Sequence, residues 1–571
     1  MSLMERARLR LAGMDALLLL ALLGLLVGVL AGGVILLFRI YTDAAILLWF
    51  GQQVRDQDFE SLPWQLRLAL PVIGGLVIGV VLHWLPRHVR AVGVGHVLER
   101  LSEHQGHMPV KNALVQFFAG GLVLACGMPV GREGPAIHLG SAVSSVTGQY
   151  LRLPNNSLRV LVGCGAAAAI AACFNTPLAG VIFALEVVMM EYTVATFVPI
   201  ILAAVVSTLM ARLAFGNYVA YEVPALDLIS MWEIPAIVLL GLLAGLWSSG
   251  FIAATTRVAT KTRPWPLWTR PAIAGIIIGL LALVVPEIMG TGYDTVTASF
   301  HSELPWTILL FALIGKTIAT TLCSGLSVPG GAIGPSLFIG ATLGGLVGTV
   351  VTALLPEPHS GSGLYAMLGL AALMSATLQA PLAALMALLE LTGNPNIILP
   401  GMLTVVIANL VVSHGFKQRS IIHTLLAIRG VEVRVSPLKE LLRRAAVGTV
   451  MDTSFVLVSK QISRHDAEIL LRGEPRWLLV RDGNWPVALM HATDLARALL
   501  EEDGETLNLL DIPGKRESLT AINLQATLAE ALDSMDEKQV DAAYVYQRGN
   551  QERIAGIVTR GKIEHFYTYK H

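Results

Sequence analysis

Charge is what this sequence has least of: 14% of its 571 residues are Asp, Glu, Lys or Arg. A soluble globular chain carries about 25%, so this supply is too thin to cover a water-facing surface of such size. Neither sign is in excess. Forty basic residues balance 40 acidic ones, which removes any basic field for nucleic acid and leaves no nucleic-acid partner implied. Cysteine is scarce too, at Cys126, Cys164, Cys173 and Cys323. Each sits among small apolar residues with neither metal-ligand spacing nor a disulfide framework, so all four read as buried packing thiols.

Apolar residues make up 54% of the chain and mean hydropathy is +0.66, which describes a multi-pass membrane protein in a lipid bilayer. Arg6, Arg8 and Arg10 precede an apolar run at 17–37 that is too long for a signal peptide. We read it as a retained first helix with a cytoplasmic N-terminus. From residue 11 to 426, apolar segments follow one another from 14–38 to 397–412, often broken by Gly and Pro. Several are too short to span a bilayer alone, which points to discontinuous helices meeting near the midplane.

Two halves match. Gly134-Pro135 is followed by Gly140 as Gly334-Pro335 is by Gly340, and Pro177-Leu178-Ala179 precedes Glu186 as Pro381-Leu382-Ala383 precedes Glu390. An internal repeat is implied. Within it, Gly131-Arg132-Glu133-Gly134-Pro135 places a carboxylate between two glycines and a helix-starting proline. Pro135 predicts a helix start, the glycines allow backbone to approach an anion, and the helix end attracts negative charge. A carboxylate in such a place is functional by default. We read Glu133 as a gate that occupies an anion position when ionised and yields it when protonated or displaced, so that acid favours opening. Arg132 would concentrate anions or serve as a structural cation, and Glu186 and Glu390 read as helix-end residues. His96 and His138 are packed or titratable histidines. No nucleophile or metal cluster accompanies Glu133, so no enzyme is implied.

Beyond residue 428 charge returns and short Val/Leu/Ile runs alternate with amphipathic stretches. The sequence predicts an all-α polytopic membrane domain over 1–435 and a soluble α/β tail over 436–571. In the tail, strands at 476–480 and 487–490 and a helix at 492–502 are followed by strands at 542–546 and 554–558 and a helix at 561–567. The two units, about 445–503 and 511–571, flank an acidic linker at Glu501–Glu505.

These motifs resemble the CLC family of chloride channels and proton-chloride antiporters, followed by a tandem pair of CBS (cystathionine beta-synthase-type) domains. Gly131–Pro135 matches the GREGP motif, Gly331-Ala332-Ile333-Gly334-Pro335 is similar to GxFxP, 166–180 resembles the GAAAG...FNAPLAG region, and Gln379-Ala380-Pro381-Leu382 resembles the RAPL turn. The resemblance implies inverted repeats, a homodimer with one pore per subunit and an interface from 178–215 and 382–412. It also implies an anion site built from Gly131, Arg132, Gly134, Gly331, Ala332, Ile333 and Gly334, and a multi-pass protein of the inner or plasma membrane with a cytoplasmic tail.

Departures from the family pattern bear on function. GSGIP appears as Gly93-Val94-Gly95-His96-Val97, so Val94 replaces the usual hydroxyl, and Ile422 falls where a tyrosine is usual. Backbone amides would then carry the anion, leaving chloride, nitrate, bicarbonate and fluoride all open as substrates. The family's inner proton-relay glutamate is Val187. The expectation is therefore a passive anion channel or uniporter; a proton-coupled antiporter is the alternative, and a non-conducting sensor signalling through the tail a third. No cofactor is required. An adenine nucleotide would be held in the tail by His491 and Asp494 of the first unit and by Thr559, with Lys562 where an Asp is usual.

Overall fold

The computed structural model describes residues 11, 16–50, 59–217, 221, 223–224, 226–355, 358–432, 437–483, 485–501, 504–514, 516–547 and 550–569. Arg6, Arg8, Arg10, the 435/436 boundary and Glu502–Asp503 of the acidic linker lie outside them. Two compact units emerge. One comprises residues 21–147 and 159–433; the other joins 434–571 to 1–20 and 148–158.

The first unit is helical and runs through one sequence of elements twice. The first pass is α1 (Leu17–Phe50), α2 (Trp64–Trp84), α3 (Gly93–Glu103), α4 (Val110–Ala125), α5 (Glu133–Tyr150), α6 (Asn155–Phe174), α7 (Pro177–Phe183) and α8 (Val194–Phe215). The second is α9 (Ile234–Thr262), α10 (Thr269–Val284), α11 (Tyr293–Phe300), α12 (Trp306–Gly325), α13 (Ile333–Leu354), α14 (Gly361–Leu378), α15 (Pro381–Thr392) and α16 (Ile398–Leu410), after which α17 (Ile421–Arg429) closes the unit. Among the described residues, nine helical spans are long and apolar enough to cross a membrane. The rest are short, as the Gly/Pro interruptions require.

The repeats are inverted, and the contact between them shows how. Gly131 and Gly331 form an antiparallel bridge in which each N–H donates to the other's carbonyl at 2.9 Å. An antiparallel bridge between equivalent residues puts a local two-fold axis between them. A second reciprocal pair obeys the same axis: Glu390 accepts from the N–H groups of Leu178 and Ala179, and Glu186 from those of Leu382 and Ala383. Each carboxylate thus caps the other repeat's short helix, whose first N–H groups have no intrahelical partner. Packing repeats as well. Gly140 lies against the Gly165 carbonyl between α5 and α6, and Gly340 against the Gly369 carbonyl between α13 and α14, so a Cβ at either would collide with backbone.

α1 runs on to Phe50, well past the expected end at residue 38. Its later charges do not stop it, because Arg39 and Asp43 pair one turn apart at 3.7 Å. α5 begins at Glu133, two residues before Pro135; proline costs nothing anywhere in the first turn, where N–H groups are free.

The second unit holds two three-stranded sheets. β1 (Phe455–Ser459) pairs parallel with β3 (Trp477–Asp482), which pairs antiparallel with β4 (Trp485–His491); β2 (Gln461–Ser463) pairs with β5 (Thr506–Asn508). The second sheet repeats the order in β6 (Leu519–Asn523), β7 (Ala542–Gln547) and β8 (Asn550–Thr559). Strand alternation divides the cores. Leu478 and Val480 of β3 pack with Leu495 and Leu499 of a helix at Ala492–Glu501, whereas Trp477 and Leu479 point the other way and join Ala542, Tyr544 and Ile557 of the second sheet. The segment 148–158 belongs to this unit, with the Asn155 amide donating to both Glu530 carboxylate oxygens at 3.0 Å.

Candidate functional site

The site grows from the Gly131–Gly331 bridge, because α5 and α13 start immediately after it. Two helix N-termini are thereby held face to face, each with free N–H groups and the positive end of its dipole. Only glycine fits here: a Cβ on Gly134 would lie 2.6 Å from the Gly331 Cα, and one on Gly131 would overlap the Glu133 carboxylate.

Glu133 is fully buried and reaches across the axis. Its Oε1 accepts from the Gly334 N–H at 2.6 Å, so a side chain of α5 caps α13. Its Oε2 has no protein partner. A helix N-terminus attracts a mobile anion by the same dipole and amides that hold this carboxylate.

A cavity of about 350 Å³ lies beside the bridge. Val94, Ile422, Gly331, Ala332 and Ile333 all line it, as do Gly93, Gly95 and Ile421 at the starts of α3 and α17. Gly131, Glu133 and Gly134 do not. The wall is less uniformly apolar than Val94 and Ile422 suggest, since Ser324 and Ser327 also line it, with Arg87, Arg90 and Arg429. Those three cations give it a field that favours anions. The reading of the sequence missed all five, which come from loop and helix-end segments with no motif of their own.

Arg132 lies elsewhere. Its guanidinium donates to the Cys173 carbonyl at 3.0 Å and sits over the Tyr293 ring, 5.0 Å from its centre, which is a structural cation's role and not that of a cavity-lining one. Val187 is buried in a π-helical turn at Ala184–Met189, so this point of the fold holds an apolar side chain. All four cysteines are buried free thiols.

Two further buried polar residues carry no motif, yet repeat symmetry could have found them. Lys316 on α12 lies 15 residues before Gly331, and Gln116 on α4 lies 15 before Gly131. Lys316 is fully buried and donates to the carbonyls of Ile288 and Gly290 at 2.9 Å. Gln116 is equally buried, but neither amide atom has a protein partner.

In the tail, His491 stacks on Trp477 with ring centres 3.9 Å apart, and the Asp494 carboxylate lies against Gly514. Thr559 ends β8 opposite Ala542. Lys562 pairs with Asp452 at 3.0 Å, binding the last helix of the second unit to the segment that leads into β1.

Known proteins resemble both units. A family model described as voltage gated chloride channel matches residues 73–413. A putative ClcB-like chloride channel protein of Ralstonia nicotianae is 34% identical over 379 residues, covering 64% of this chain and 87% of its own. A proton/chloride exchange transporter, ClcA, of Vibrio cholerae is 32% identical over 300 residues, covering 51% and 64%. Among solved structures, a eukaryotic CLC transporter aligns with a TM-score of 0.62 and 20% identity over 98% of this chain and 99% of its own, tail included. A slow cyanobacterial chloride/proton antiporter aligns at 0.61 and 24% over 72% and 97%.

Proposed function

The chain belongs to the CLC family of membrane anion transporters and channels, and from that membership we propose that it exchanges a small anion for protons, with Glu133 as the gate for both. The observation that carries this reading is the carboxylate of one repeat seated on the Gly334 amide of the other. A carboxylate there does two things at once. Ionised, it competes with the anion for the helix end; protonated, it releases the position and carries a proton with it. Anion entry and proton binding then drive the same displacement, and coupled exchange follows.

The similarity to a protein named as a proton/chloride exchanger in Vibrio cholerae supports the same reading, and makes chloride the first substrate to test. Nitrate, bicarbonate and fluoride are the comparison set, because the Val94 and Ile422 side chains supply no hydrogen-bond donor. A passive channel is the second reading, favoured by Val187. Our reading places the protein in the inner or plasma membrane as a homodimer, with N-terminus and tail cytoplasmic. Apolar side chains exposed on α7, α8, α15 and α16, among them Leu178, Leu209, Leu382 and Val406, would form its interface. The tail pair, with His491 given to stacking, acts foremost as a structural element of that dimer, and adenine nucleotide is the ligand to try on it.

The reversal potential of reconstituted protein separates the readings. Under a pH gradient at equal chloride, an exchanger reverses away from zero. A passive anion pathway reverses at zero, and that result would overturn the proposal.

A further inference from the structure

With valine at position 187, a proton that leaves Glu133 needs another way through the protein. Two histidines that the site description did not use lie where such a way would run. His96 Nδ1 and His138 Nε2 are 2.8 Å apart, one on α3 and the other on α5, and both side chains are buried. His138 is five residues beyond Glu133 on the same helix, about 7.5 Å along its axis. His96 directly follows Gly93-Val94-Gly95, which line the anion cavity. The pair therefore joins the helix that bears the gate to the helix that borders the cavity.

Unsatisfied polar atoms accumulate along the same line. His138 Nδ1 has no protein partner, nor have Glu133 Oε2 and both amide atoms of Gln116, all of them buried. The Gln116 amide and the Pro135 ring flank the same glycine, Gly120, which places the amide beside the first turn of α5. Buried polar atoms are normally partnered, by protein or by water. A set of them unpartnered around the start of α5, from α4 and α5 alike, marks a polar thread through apolar surroundings, the kind of place water bridges.

We propose that His138 and His96 relay the exchanged protons between Glu133 and the aqueous side that the anion cavity faces. The proposal rests on the exchange reading above. In the relay, a proton bound at His138 Nδ1 makes that ring an imidazolium, which releases its Nε2 proton through the shared hydrogen bond to His96 Nδ1. His96 then gives up its Nε2 proton toward the cavity. Ring rotation or the reverse tautomer shift resets the pair, so each passage moves one proton and leaves both rings neutral. The charged and titratable groups that act on His96 are Arg100 of α3, His104 just past the end of α3 and Arg429 of α17, and Glu133 lies on α5 with His138. Arg159 of α6 donates to the Leu101 carbonyl of α3, Cys164 lies on α6, and Glu186 lies on the turn packed against α3. Glu186 is committed to the amides of Leu382 and Ala383. Imidazole is suited to the relay because it can bind a proton at one nitrogen while releasing one from the other.

The test uses full-length protein in liposomes loaded with chloride and diluted into chloride-free medium, with chloride efflux and external pH followed together. Wild type, His138→Gln and His96→Gln are compared. Glutamine retains a hydrogen-bonding amide but cannot titrate. We expect chloride efflux within about threefold of wild type, while protons moved per chloride fall about tenfold or more; retained efflux also shows that the variants fold. The two substitutions read the same bond from different helices, so one folded variant is sufficient. An unchanged proton-to-chloride ratio in a conducting variant overturns the relay and leaves exchange intact. Wild type that moves chloride without protons overturns exchange itself, and the relay with it.

Discussion

Replacing Glu133 by Gln keeps the size of the side chain and removes its charge. In the structure that charge is the acceptor of one short bond, 2.6 Å from the Gly334 N–H, at a helix end that would equally hold a mobile anion. A hydrogen bond to an ionised group contributes about 1.5–3 kcal/mol. Converted at about 1.4 kcal/mol per tenfold, competition against an incoming anion should weaken by roughly 10- to 150-fold. Chloride efflux from liposomes, measured from acid to neutral pH, reads the consequence. Wild-type flux should rise as pH falls, because the protonated carboxyl no longer competes as an anion. Glu133→Gln should be flat with pH and faster than wild type at neutrality, with Glu133→Ala behaving alike. Acid activation in Glu133→Gln as steep as in wild type would refute the gate.

Other parts of the structure give sharper local expectations. Glu390→Ala should cost about 1–2 kcal/mol by leaving the Leu178 and Ala179 amides uncapped, seen as a lower melting temperature in detergent with the proton-to-chloride ratio unchanged; a changed ratio would assign Glu390 a part in transport. Val94→Ser puts a hydroxyl into the cavity wall and should tighten chloride binding by about 1 kcal/mol, roughly fivefold, in calorimetry. No gain would mean that the anion does not touch this position. In the tail, burial opposes ionisation of Asp452, but Lys562, the Ser454 amide and the Trp477 indole hold its carboxyl below the usual carboxylate range. A carboxyl whose folded value is depressed contributes stability above its unfolded value and loses it as pH falls through the folded one. Asp452→Asn should therefore loosen the tail by about 1 kcal/mol at neutral pH and by little in acid, as read by hydrogen exchange in the intact protein. Equal loosening at both would contradict the assignment.

The parts of this architecture that were legible in the sequence are those that glycine and proline encode. Gly131–Pro135 and Gly331–Pro335 announce themselves because two helix ends can meet at the 2.9 Å of the Gly131–Gly331 bridge only where side chains are absent. The matched Glu186 and Glu390 likewise revealed the repeat, though their exchange of caps is a long-range pairing that spacing cannot show. α3 and α11 were not legible as spans: they are short, and α3 carries His96, Glu99, Arg100 and Glu103, which breaks any apolar run. In the tail, β3, β4, β7 and β8 were legible as strands, and those that follow one another in sequence pair antiparallel. β1 and β6 were missed because each pairs parallel with a strand beyond an intervening helix, a partner no local pattern reveals. Ser324, Ser327 and the three arginines of the cavity escaped for the same reason, since the fold assembles them from three separate segments.

The central claim is that anion and proton displace one another at Glu133. Its most direct measurement is proton movement by the wild-type protein against a proton gradient, driven only by a chloride gradient across a sealed liposome. Exchange predicts that chloride leaving the liposome draws protons inward, so that the external medium turns alkaline until the two gradients balance. Chloride efflux that leaves external pH unchanged would contradict the account.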